Sequence, residues 1–122
     1  MGVRILPFVV AVLLSVIVLF TPESGVPTAP PGTDKVVHFL LFALLMGSGR
    51  YARLPVGPLL AGLTGYAAVS ELLQWLITAL GRSGDVLDAL VDVAGIAFGY
   101  LVARWLHALG AARAARLGNP DL

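Results

Sequence analysis

The chain has 122 residues, of which 58% are hydrophobic and only 12% charged, with a mean hydropathy of +0.92. Soluble domains carry about a quarter charged residues, so this composition excludes an ordinary soluble globule and marks a one-domain, all-α integral membrane protein. The net charge of +1 comes from scattered basic residues and gives no nucleic-acid footprint, and with no cysteine there is neither a disulfide framework nor a thiolate metal site.

The first apolar run, Val3 to Phe20, follows Arg4. An n-region arginine before an apolar stretch is also the pattern of a signal peptide. However, the run is long enough to span a bilayer core of roughly 30 Å. It also lacks a clear small-x-small cleavage site, so residues 1–20 are expected as a retained first transmembrane helix. Residues 21–34 follow as a Pro-rich loop, holding four of the eight prolines. Thr33 or Asp34 is the expected N-cap of the next helix.

The second run, Val36 to Ser48, carries His38 and is short for a span. Arg50 and Arg53 follow in a turn with Gly and Pro. The third run, Val56 to Leu80, contains Glu71 and Gln74. After a turn holding Arg82, the fourth run covers Val86 to Leu106. Residues 35–106 thus read as a three-helix core and 107–122 as a basic tail. The basic residues fall at Arg4, the Arg50/Arg53 turn and the Arg104–Arg116 stretch. The positive-inside rule then places both termini in the cytoplasm, with the Pro-rich loop and the Arg82 turn outside. The whole is expected as a four-helix membrane bundle.

With that topology, every ionisable residue inside the membrane lies toward the outer face: Lys35, His38, Glu71, Asp85, Asp88 and Asp92. The inner halves of the helices have none. An intramembrane ionisable group is costly unless paired and points to function. Asp85, Asp88, Asp92, Gly95 and Gly99 recur every three or four residues and share one helix face. The opposite face, with Val86, Leu87, Leu90, Val93 and Ile96, is expected to meet lipid or apolar neighbours. The G-x-x-x-G of Gly95 and Gly99 allows close helix approach. It is read as packing against another helix of the same chain, with homodimerisation as the alternative; Gly57, Gly62 and Gly65 on the third helix could supply a matching face.

The ordered pattern Asp34-Lys35-x-x-His38, Glu71-x-x-Gln74, then Arg82, Asp85-x-x-Asp88 and a glycine-bearing helix resembles the VanZ-like family of small bacterial membrane proteins. The resemblance covers Asp34 to Gly99, with the first helix fitting in position only. It implies a multi-pass bacterial plasma-membrane protein with a cell-envelope role and a link to teicoplanin-type glycopeptide resistance. The family usually has asparagine where this chain has Asp92, which adds a potential negative charge to the cluster.

Three classes of function fit these residues. In the first, His38, Glu71, Asp88 and Asp92 are catalytic in a hydrolase or transferase acting on a lipid-linked cell-wall precursor. Their imidazole and carboxylate groups suit a divalent cation, or acid–base work without one. Lys35, Gln74, Arg82 and Asp85 would then bind ligand, the cations holding phosphate and Gln74 orienting Glu71. No serine or cysteine nucleophile with a base is evident, and H-E-x-x-H is absent. In the second, the cluster binds a headgroup or glycopeptide without catalysis. In the third, the charges only neutralise one another within a structural bundle. Two fixed cations and one histidine, against four carboxylates, count somewhat against the third class.

Overall fold

In a computed structural model, residues 2–20, 32–77 and 86–118 are described. A 3₁₀ turn, Gly2–Ile5, leads into α1, Leu6–Phe20. Then come α2, Thr33–Tyr51, α3, Val56–Leu76, and α4, Val86–Gly118. No strand occurs among the described residues. The turn with α1 (Gly2–Phe20), α3 and α4 are each long and apolar enough to cross a membrane. At 19 residues, α2 is about 28 Å long; its Asp34, Lys35, His38 and Arg50 keep it out of that group.

Cross-helix contacts define the topology. Arg4 reaches Tyr51, so α1 runs opposite to α2. Ser15 pairs with Tyr66 and Gln74 with Leu19, so α1 and α3 run together. Lys35 pairs with Asp88 and His38 with Asp92, while Gly95 meets Phe39 and Gly99 meets Ala43. Hence α2 and α4 run parallel and in register. The bundle is up-down-up-down. One end holds the starts of α2 and α4 and the ends of α1 and α3; the other holds the short α2–α3 turn. The apolar core is built from Leu19, Leu41, Phe42, Leu45, Met46, Leu63 and Ile96. Val10, Leu13, Ile17, Leu40, Leu60, Leu90 and Leu101 point outward, the arrangement suited to lipid.

Local chemistry sets the helix ends. The N-cap of α2 is Gly32 in the left-handed region (φ 88°), with no side-chain cap. The expected Thr33 and Asp34 instead lie inside the first turn, because glycine reaches the left-handed region without Cβ strain. At the other end of α2, Leu54 N–H donates to Gly49 O (3.0 Å) and Arg53 N–H to Arg50 O (2.9 Å). This double bond pattern is a Schellman motif, closed by Arg53 at φ 63° in place of the usual glycine. Pro55 then caps α3. The helix of α3 ends at Leu76, with Ile77 as its C-cap, short of the expected Leu80; residues 78–80 lie outside the described residues.

One further expectation changes. Ile96 is in the core, 1% exposed, not on the outer face with Leu90. It lies four residues after Asp92, about 40° round the helix, so it shares the inward stripe. The basic segment after Leu106 is helical: α4 continues unbroken to Gly118, a helix of about 50 Å. That exceeds a bilayer core, so its last turns, with Arg113 and Arg116, extend beyond the hydrocarbon.

Candidate functional site

The inward stripe of α4 starts with carboxylates and ends with bare backbone, and both halves are used against α2. A Cβ built on Gly95 would fall on the Phe39 carbonyl oxygen and 3.1 Å from its carbon. One on Gly99 would meet the Ala43 carbonyl oxygen and lie 2.9 Å from the Ala43 Cα. The helices therefore touch backbone to backbone, as small-xxx-small faces permit. Phe39 and Phe98 flank the seam, ring centroids 5.3 Å apart. Gly57, Gly62 and Gly65 have no such neighbour within 4 Å, so the matching face belongs to α2 and not to α3.

That close approach brings the polar halves together. His38 Nδ1 and Asp92 Oδ1 share a hydrogen bond at 2.8 Å, and Nδ1 lies 3.6 Å from Glu71 Oε1. His38 is 3% exposed and Asp92 0%. Asp92 Oδ2 is buried with no hydrogen-bond partner among the described residues. One turn nearer the bundle end, Lys35 Nζ donates to Asp88 Oδ1 at 3.0 Å and lies 3.6 Å from the exposed Asp34. The site is thus layered: a partly exposed Lys35 on a buried Asp88 above, and a closed His38–Asp92–Glu71 group about 6 Å deeper along α4.

Ligand atoms of His38, Glu71 and Asp92 lie within 4.8 Å of one another. A tetrahedral ion with bonds of about 2.0–2.1 Å spaces its ligands about 3.3 Å apart. The observed 2.8 and 3.6 Å separations lie on either side of that value. These three residues have the reach and the donor types for a divalent cation. Asp88 stands outside this trio, engaged by Lys35.

Gln74 Nε2–H donates to Leu19 O at 2.6 Å, fastening the end of α1 to α3. Ser70 donates to Ala67 O within its own helix and is fully buried. Arg82 and Asp85 lie outside the described residues. Unforeseen from the sequence was the contact of Ser15 with Tyr66, 2.9 Å apart, which holds α1 in the bundle. A serine in an apolar run was the available signal.

The family model for VanZ/LLP1 matches residues 6–107, all of α1 to α3 and most of α4, so the match includes the first helix as well as the expected Asp34–Gly99. No curated protein and no solved structure matches. A match over this much of a membrane chain places it: the protein belongs to the VanZ/LLP1 family.

Proposed function

We propose that the protein acts in the bacterial cell envelope, as a multi-pass protein of the plasma membrane with its His38 end outward. Its polar group engages an envelope amphiphile and thereby lowers susceptibility to teicoplanin-type lipoglycopeptides. The family assignment supports the envelope setting. The observation that carries a role for the cluster is Asp92: fully buried, with one oxygen on His38 and the other lacking a partner among the described residues. A bundle using these charges only for neutralisation would satisfy both oxygens, since an unsatisfied buried acceptor costs about 1–3 kcal/mol. The partly exposed Lys35, seated on the buried Asp88, supports a charged headgroup as what the cluster meets.

The test is drug susceptibility of a sensitive bacterial host expressing wild-type protein, His38→Ala or Asp92→Ala at equal membrane abundance. Protection by the wild type and its loss in both variants is expected. Equal protection by all three would overturn a working role for the cluster.

The ligand spacing of His38, Glu71 and Asp92 favours one second reading: a divalent-cation-dependent hydrolase or transferase acting on a lipid-linked envelope precursor. Metal content of the purified protein separates the two. A stoichiometric ion in wild type that is lost in Glu71→Ala and Asp92→Asn selects the second reading; no ion in wild type removes it.

A further inference from the structure

At the end of the bundle away from His38 lies a cavity of about 400 Å³. Three guanidinium groups line it, from three separate elements: Arg4 before α1, Arg50 at the end of α2 and Arg104 on α4. His107, Tyr51 and Tyr100 complete its polar wall, and no carboxylate lines it. Among the described residues none of these arginines is in an ion pair, whereas Lys35 at the far end has two carboxylates within 4.0 Å.

Two of the arginines are held in place. Arg4 Nε–H donates to Tyr51 O at 3.0 Å, and its guanidinium lies over the Tyr51 ring, 4.5 Å from the centroid. Arg50 Nη1–H donates to Leu54 O at 2.6 Å, inside the Schellman turn. Each of these contacts uses one donor of five, which leaves the terminal amines of Arg4 and the remaining amines of Arg50 available. Arg104 has no described partner. Like charges gathered round one cavity repel, and that arrangement is stabilised by an anion able to accept several guanidinium bonds at once. Phosphate does this bidentately. Basic pockets between transmembrane helices are a known form of phosphate-headgroup site.

We infer that the Arg4–Arg50–Arg104 cavity binds a phosphate-bearing anion, the headgroup of an anionic amphiphile in the leaflet at that end of the bundle. Three permanent positive charges favour a group with more than one negative charge. The site stands apart from the His38 cluster and does not depend on its role.

Native mass spectrometry of the detergent-purified full chain tests this, with cardiolipin, phosphatidylglycerol, phosphatidylcholine and inorganic pyrophosphate as separate probes. The variants are Arg104→Gln and Arg50→Gln. Arg113→Gln, further along α4 and outside the cavity, controls for general basicity, and melting temperature reports folding. Wild type is expected to prefer the anionic lipids over phosphatidylcholine, and Arg104→Gln to weaken them by about five- to tenfold, with Arg113→Gln near wild type. Arg104-dependent binding of pyrophosphate but not of lipid would keep the phosphate site and assign its ligand to the soluble phase. Equal weakening by Arg113→Gln, equal binding of phosphatidylcholine, or no binding of any probe would overturn the inference. Arg104 makes no described contact, so its substitution isolates binding from folding even if Arg50→Gln loosens the turn.

Discussion

Replacing Gly95 by alanine tests the link between helix packing and the polar group. The new methyl would fall on the Phe39 backbone, with neighbouring atoms at 3.1 and 3.2 Å. A carbonyl within a helix cannot rotate away as a side chain can, so α2 and α4 must part by roughly 1 Å to reach ordinary contact. Overpacking of this kind costs about 1–3 kcal/mol. The same displacement would stretch the His38–Asp92 bond from 2.8 Å past hydrogen-bond range, since the two residues sit one turn up the same seam. The assay is thermal unfolding in detergent, paired with a cysteine cross-link across the seam. Gly95→Ala should melt lower and cross-link less, and Gly99→Ala should behave alike. Gly62→Ala is the control, because nothing lies within 4 Å of Gly62; alanine there should be neutral or up to about 1 kcal/mol stabilising. Unchanged melting and cross-linking in both Gly95→Ala and Gly99→Ala would refute the backbone contact and the reasoning built on it.

Arg53→Gly should raise stability by about 1 kcal/mol, because it removes left-handed strain from the Schellman turn; chemical denaturation reads the gain. Gln74→Ala should weaken the hold on α1 by about 1 kcal/mol or more by leaving Leu19 O without its donor, visible as faster proteolysis near residue 20. Asp92→Asn retains an acceptor oxygen for His38 and should fold normally in a melting assay, whereas Asp92→Ala should be destabilised by about 1–3 kcal/mol. Lys35→Ala should lower the melting temperature, at a cost of about 1–3 kcal/mol, because it leaves the buried Asp88 carboxylate without its ammonium donor.

The Asp88–Asp92–Gly95–Gly99 stripe was legible in the sequence because helical periodicity alone puts those positions on one side. That they meet α2 follows from register between helices some 50 residues apart, which periodicity does not contain. Thus Gly57, Gly62 and Gly65 offered themselves as the partner face, whereas the seam is made by the backbone at Phe39 and Ala43, whose side chains are larger. What matters at the seam is the exposed α2 backbone, and residue size does not reveal it. The hold of Gln74 on α1 was hidden for a related reason: sharing a face with Glu71 says nothing about α1, whose Leu19 carbonyl takes its hydrogen bond. Arg4, Arg50 and Arg104 were visible only as topology signals. Their convergence on one cavity needs α1, α2 and α4 folded together, across 100 positions of chain.

The insufficient apolarity of α2 bears on how the protein enters the bilayer. α2 carries Asp34, Lys35 and His38 at one end, and the acids that accompany Lys35 and His38 arrive on α4, some 50 residues later in synthesis. Alone in hydrocarbon, those groups would cost several kcal/mol. Coupled insertion is the expected consequence: α2 is predicted to stay at the interface until α4 emerges, and the parallel pair to settle as a unit. A chain truncated before Val86 should leave α2 accessible to aqueous labelling, even with α1 and α3 in place.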